Sequence, residues 1–184
     1  MFSGEFSVTL DDTCRISLPR CLRDGLETGK VYLTQGKEGS LWLFTIERWK
    51  KLVETVVIST NPLSEDTAVN PFFAEGRHYS RRFIGTSHLV DIDKQGRILV
   101  PPSLRDFAGL CKDCVVLGLY DYIEIWAEDR YQGYLKASEG EYEAASRDLG
   151  ARIMKEKELG NYGNSSRPGT AGTGYSVSRP EGQG

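Results

Sequence analysis

Two copies of Asp-x-x-x-Arg lie 82 residues apart in this chain, Asp11-Asp12-Thr13-Cys14-Arg15 and Asp93-Lys94-Gln95-Gly96-Arg97. A short carboxylate at the start of a turn can accept backbone N–H bonds within it. An arginine four residues on opens the next strand with a planar fork suited to phosphate oxygens and guanine edges. If the two pair across the turn, the carboxylate fixes the direction of the guanidinium. Gly96 suits a turn position at positive φ. Cys14 stands there in the first copy, a defect worth about 1 kcal/mol if that φ is required. The plainer alternative is an Asp–Arg pair that only ties two halves of a fold together. A binding role is favoured by the recurrence of the motif and by the arginines that follow it, Arg20 and Arg23 after Arg15, Arg105 after Arg97. Arg23 and Arg105, each inside Leu-Arg-Asp, read as helix-surface or inter-repeat ion pairs.

Other reactive residues form no comparable constellation. Cys111-Lys-Asp-Cys114 has the spacing of half a metal site. Yet Cys14 and Cys21 align with Gly96 and Ser103 of the other copy, and Cys111 and Cys114 with Gly29 and Tyr32. Neither copy keeps the other's cysteines, so small, partly buried thiols are preferred to a metal centre. His78 and His88 have no counterparts in the first copy. No nucleophile elbow, phosphate-binding loop, dinucleotide fingerprint or zinc-protease motif is present. No enzyme, metal or cofactor is therefore expected.

The formal net charge is −3 and the pI about 5.5, which does not announce a polyanion binder. Clustering on one face matters more than the sum. Residues 77–105 hold Arg77, Arg81, Arg82, Lys94, Arg97 and Arg105 against only Asp91 and Asp93. Arg77-His78-Tyr79-Ser80-Arg81-Arg82 reads equally as a phosphate contact or a solvated connector. No apolar run is long enough to span a membrane, and Met1–Leu10 lacks the basic start and apolar core of a secretory signal. A cytoplasmic location is expected.

The elements that position the two motifs repeat in the same order. Phe2, Phe6, Val8 and Leu10 alternate as on a half-buried strand. After the turn, Arg15–Leu18 alternates again, and Pro19 suits the first position of a short helix through Leu22 and Leu26, with Gly29 as its stop. Val31–Thr34 and Leu41–Phe44 flank Gly36-Lys37-Glu38-Gly39 as a hairpin. The second copy follows with Leu89–Ile92, a turn, Arg97–Val100, Pro101, a short helix, Val115–Leu119, a turn at Asp121 and Ile123–Trp126. Thr45 is a helix N-cap before Trp49, Leu52, Val53 and Val56. Tyr131, Leu135, Tyr142, Ala145, Leu149 and Ile153 keep helical spacing.

The expected organisation is thus a first repeat at 5–47, a helix and linker at 48–82, a second repeat at 87–130, a C-terminal helix at 131–159, and a Gly/Ser/Pro-rich disordered tail at 160–184. One unit is too small to bury a good core alone. Two copies about a pseudo-twofold axis are expected to form one composite β-barrel of α+β, mainly β, class with peripheral helices.

The chain resembles the MraZ family of bacterial transcriptional regulators, which are built from two SpoVT/AbrB-type repeats. The resemblance rests on Met1-Phe2-Ser3-Gly4-Glu5-Phe6, both Asp-x-x-x-Arg turns, Asp93–Pro101, Leu104–Leu110 and Glu124-Ile125-Trp126, and covers about residues 1–150. It implies a swapped-hairpin β-barrel and a homo-oligomeric ring of about eight to twelve subunits. It also implies binding to short direct repeats in double-stranded DNA upstream of the division and cell-wall genes, which such proteins repress. Carried over by position, Arg15 and Arg97 face DNA, with Lys94 beside Arg97. Arg20 is added from the residues themselves, and Asp11, Asp93 and Gly96 shape the turns. The family's first turn carries Lys-Gly where this chain has Thr13-Cys14, which leaves open whether both copies read DNA equally.

The expected function is a DNA-binding repressor associated with the nucleoid, with no membrane and no small-molecule substrate as partner. The rival is an antitoxin-type interaction module holding a partner protein through the C-terminal helix or tail.

Overall fold

Among the described residues eight strands follow the duplicated order anticipated above, and a single shift of 82 residues maps the second set onto the first. The computed structural model describes residues 1–26, 29–55 and 74–164. In the first repeat β1 is Phe2–Thr9, β2 Arg15–Ser17, β3 Lys30–Gln35 and β4 Leu41–Thr45. In the second, β5 is His88–Asp91, β6 Arg97–Leu99, β7 Asp113–Tyr120 and β8 Tyr122–Ala127. Six of them form one antiparallel sheet in the order β1-β7-β8-β4-β3-β5, while β2 and β6 form a separate two-stranded ribbon.

The repeats exchange their first strands. β1 pairs along its whole length with β7 of the second repeat, and β5 pairs with β3 of the first. The pseudo-twofold axis can be located from the register. Ile16 pairs with Ile98, its own duplicate, and Trp42 pairs with Glu124, the residue 82 positions later. Matching bonds flank the first pair: Leu18 N donates to Gly96 O and Val100 N to Cys14 O, both at 2.9 Å. Among the described residues the strands do not close into a continuous hydrogen-bonded barrel. β1 and β5 are the edges of the sheet, and the ribbon joins their ends only through single bridges, Leu10 to Ile16 and Ile92 to Ile98.

The core follows from the alternation. Ile16, Leu33, Leu43, Ile98, Ile123 and Ile125 are fully buried, contributed by β2, β3, β4 and β6 and, for the last two, by the inward face of β8. Leu22 and Leu104 are buried beside them on the short helices α1 (Arg20–Arg23) and α4 (Pro102–Ala108). Proline precedes both, at Pro19 and Pro101. α4 ends at Gly109 with φ 64°, a backbone state glycine adopts without penalty. α1 is one turn only and stops before Leu26, short of the expected helix. Leu26 is still buried, reached through a tight turn at Asp24 and Gly25.

Thr45 caps α2 (Ile46–Val53) as expected, its Oγ1 accepting from Arg48 N at 3.1 Å; Val56 lies outside the described residues. Residues 74–83, read from sequence as part of a linker or connector, form a helix, α3 (Ala74–Phe83). Its anchor is Phe83, buried against Trp42, Phe44 and Trp49. The Phe83 carbonyl also accepts from the fully buried Thr34 Oγ1 at 2.5 Å. The apolar face of α3 is short, Tyr79 and Phe83 four residues apart among charged and polar neighbours, which is why the sequence reads as a connector.

The chain divides into two units, 1–137 and 138–184. The last helix, α5, spans Glu128–Asn164. In the first unit Tyr131 and Tyr134 pack on Trp126. In the second, Tyr142, Leu149, Ile153 and Met154 are exposed along the helix. Of the tail expected from composition, residues 160–164 belong to α5 and 165–184 lie outside the described residues. No helix among the described residues is long and apolar enough to cross a membrane.

Candidate nucleic-acid interface

Strand alternation sorts the ribbon into two faces. Ile16 and Ile98 point into the core, so Arg15 and Ser17 of β2, with Arg97 and Leu99 of β6, share the outer face. The register sets Arg15 opposite Leu99 and Ser17 opposite Arg97. The two motif arginines therefore sit on a diagonal across the pseudo-twofold axis, on one outward surface 82 residues apart in sequence. Leu99 remains about half exposed between them.

Each turn is closed by the same backbone frame. Asp11 N donates to Arg15 O and Cys14 N to Asp11 O; Asp93 N donates to Arg97 O and Gly96 N to Asp93 O, all at 2.8–2.9 Å. In both, one carboxylate oxygen caps the turn. Asp11 Oδ1 accepts from the amides of Thr13 and Arg15, and Asp93 Oδ1 from those of Gln95 and Arg97, each at 2.9 Å. The shared position at positive φ is occupied by Cys14 (59°) and Gly96 (79°). The first turn thus adopts the strained geometry despite lacking glycine.

The guanidinium environments then diverge. Arg97 Nε donates to Asp93 Oδ2 at 2.9 Å, the pairing expected across a turn, and its Nη1 reaches Asp11 Oδ2 of the other repeat at 3.4 Å. Arg15 makes no matching pair with Asp11. Its Nη1 donates instead to Thr13 Oγ1 at 2.8 Å, and that hydroxyl donates to Asp11 Oδ1 at 2.7 Å. The hydrogen bonds hold both carboxyls below the ordinary aspartate range. For Asp11 the Thr13 hydroxyl is the largest cause, followed by the Arg15 amide; for Asp93 the Arg97 amide comes first.

Arg23 and Arg105 each lie over the turn of the opposite repeat. Arg23 Nη1 donates to Gln95 O at 3.1 Å, and Arg105 Nη1 to Cys14 Sγ at 2.6 Å. Both arginines cross to the other repeat, but the ion pairs expected there are replaced by bonds to a carbonyl and a thiol. The ion pair of Arg105 is with its neighbour Asp106, at 3.6 Å. Arg23 also explains why Gly96 is buried: a Cβ there would collide with the Arg23 guanidinium. Lys94 is exposed within the second turn, and Arg20 is exposed where α1 begins, just after the ribbon. Thr13, passed over in the sequence, is the added member of the site. Its signal was its place two residues after Asp11, where a hydroxyl reaches a capping carboxylate.

The remaining reactive groups lie apart from the ribbon turns. Cys21 and Cys111 are exposed, and Cys114 is buried in β7, where burial pushes its thiol up to about 11. Among the described residues no group of His, Cys, Asp and Glu is arranged to hold a metal ion. His78 and His88 are exposed on α3 and β5.

A family model described as "MraZ protein, putative antitoxin-like" matches residues 1–70 and 83–152, both repeats in full. The chain belongs to the MraZ family. A family member from Treponema denticola, called a transcriptional regulator, is 36% identical over 148 residues, covering 80% of this chain and 96% of its own. A Thermus thermophilus regulator of the same name is 38% identical over 130 residues, 70% of this chain and 83% of its own. One from Natranaerobius thermophilus is 33% identical over 149 residues. These MraZ relatives are named as regulators of transcription, not as enzymes.

Proposed function

We propose that this chain is a sequence-specific DNA-binding transcriptional regulator that uses the outer face of the β2–β6 ribbon. The observation that carries this reading is the convergence of Arg15 and Arg97 on one outward surface, with Lys94 and Arg20 exposed beside it. Arginine forks on a two-stranded ribbon fit the width of a major groove and can donate to guanine edges. Family membership supports the finer picture: a swapped-hairpin SpoVT/AbrB-type barrel, a ring of about eight to twelve subunits, and repression of the division and cell-wall cluster, including the chain's own gene, from direct repeats in the promoter. A ring presents several such ribbons, and contacts to spaced repeats then add through avidity. The protein works in the cytoplasm on the nucleoid, needs no cofactor and performs no catalysis.

Fluorescence anisotropy with a duplex taken from upstream of the chain's own gene tests the proposal. Binding is expected at low salt, with affinity falling steeply as salt rises because phosphate contacts release counterions. Absence of binding at about 50 mM salt overturns it.

A second reading has its own support in the exposed apolar residues Tyr142, Leu149, Ile153 and Met154 of α5 and in the antitoxin-like description of the family model. On that reading the helix holds a partner protein. Retention of one defined partner by the full chain, lost on Leu149→Glu while DNA affinity is unchanged, is the result that favours it.

A further inference from the structure

We propose that Thr13 is a positioning residue that makes Arg15, rather than Arg97, the principal DNA-contacting guanidinium of this ribbon. This rests on the DNA-binding reading above and narrows it to one side of the pseudo-twofold axis.

The two arginines differ in what they have already given away. Arg97 is matched by two carboxylates, Asp93 at 2.9 Å and Asp11 at 3.4 Å. Its Nε and Nη1 already serve charge-assisted bonds, about twice as strong as neutral ones, so a phosphate or a guanine meets only the remaining Nη hydrogens of a guanidinium whose charge is already compensated. Arg15 is held by a hydroxyl, a neutral acceptor, at 2.8 Å, so its charge is oriented without being neutralised. Asp11 is barred from filling that role. One of its oxygens is committed to the turn amides and the Thr13 hydroxyl, and the other faces Arg97.

The polarity of the Thr13 hydroxyl is dictated by its neighbours. Asp11, ionised at neutral pH, can only accept, so the single hydroxyl proton points to it and the oxygen lone pairs are left to Arg15. Asp11, Thr13 and Arg15 thus form a directional chain in which the carboxylate polarises the hydroxyl that aims the guanidinium. The second turn has no equivalent. Gln95 occupies the position of Thr13, and its backbone amide and carbonyl, not a hydroxyl, take part in the turn. The first turn, with Thr13 in place of the second turn's Gln95, thus holds a device for directing the arginine that follows.

The test uses the full chain and the upstream duplex. Thr13→Val keeps the shape and removes the hydroxyl; Thr13→Ser restores it. Thr13→Val is expected to weaken binding about tenfold, the order expected for losing a hydrogen bond to a charged group, and Thr13→Ser to bind within about twofold of wild type. On an Arg15→Ala background, Thr13→Val should cost nothing further, because the two act as one unit. Arg15→Ala should also lower the salt slope by about one, and Arg97→Ala should change it less. Size-exclusion and melting profiles of each variant establish that the assembly is intact. Wild-type binding that is blind to Thr13→Val, or an undiminished Thr13→Val effect on the Arg15→Ala background, overturns the inference alone. No binding by wild type at low salt overturns the DNA reading and this inference with it.

Discussion

Asp11 of the first repeat accepts from Arg97 of the second, Nη1 to Oδ2 at 3.4 Å, across 86 residues of sequence. The contact exists only because the repeats exchange strands and set their turns side by side. It makes the Arg97 side chain part of the seam between repeats, whereas Arg15, paired there through its backbone, turns its guanidinium to Thr13 of its own repeat. Arg97→Ala should therefore lower the melting temperature by a few degrees, and Arg15→Ala should leave it unchanged, in paired thermal scans at low salt. Equal melting shifts would show that the two arginines are structurally equivalent.

Acid should weaken the same seam. Asp11 and Asp93 have carboxyl pKa values below the ordinary 3.8 in the folded chain. The stability they contribute is fully present above the unfolded-state value and is lost as pH falls through the folded-state one. Melting temperature should hold from neutrality to about pH 5 and decline below pH 4. Asp93→Asn, which keeps an acceptor oxygen but no charge, should flatten that decline. A wild-type profile that does not fall below pH 4 would contradict the assignment.

The positive-φ position of each turn yields opposite substitutions. Gly96→Ala places a Cβ against the Arg23 guanidinium and in a backbone state unfavourable to side chains, and should cost about 1–2 kcal/mol in urea unfolding. Cys14→Gly removes that backbone penalty in the first turn and should be neutral or stabilising by up to about 1 kcal/mol. It also releases Arg105 from the Cys14 sulfur. Destabilisation by Cys14→Gly of more than about 1 kcal/mol would mean that the Arg105 contact outweighs the strain.

Phe83 ties α3 to the sheet through Trp42, Phe44 and Trp49. Phe83→Ala should cost about 3–5 kcal/mol. Thr34→Val, which strips the buried hydroxyl from the Phe83 carbonyl, should cost about 1–3 kcal/mol. Denaturant midpoints check both, and near-wild-type values would show that α3 is not held by this cluster.

Most of the strand plan was legible because β-structure writes itself locally. Alternation over Phe2–Leu10, the glycines of the Gly36–Gly39 hairpin and the prolines before α1 and α4 each act within a few residues. The offset joining Arg15 to Arg97 revealed the duplication, and Ile16 facing Ile98 is its geometric consequence. What stayed hidden depends on long-range partners. α3 holds its place through one buried aromatic, Phe83, with Tyr79 stacked on it one turn earlier, an apolar face of two residues, short beside the run of charged and polar ones. The pairing of Arg97 with Asp11 needs the strand exchange to exist before it can be seen. Thr13 looked like a lost lysine, because a missing charge is visible in a sequence and a redirected hydrogen bond is not.

Where Trp42 meets Glu124, the sheet crosses the axis at a duplicated position whose two members no longer agree. Glu124 also accepts from the Trp126 indole at 2.8 Å and the Tyr122 hydroxyl at 3.4 Å, a setting made for one acid rather than two. Had this sheet been assembled from separate identical polypeptides, any residue on the axis would have to tolerate its own image, and an acid there would repel itself. Joining the copies end to end lifts that obligation. Each half becomes free to drift from the other where divergence serves it, and the like-with-like contact kept at Ile16 and Ile98 stands beside one that has been given up.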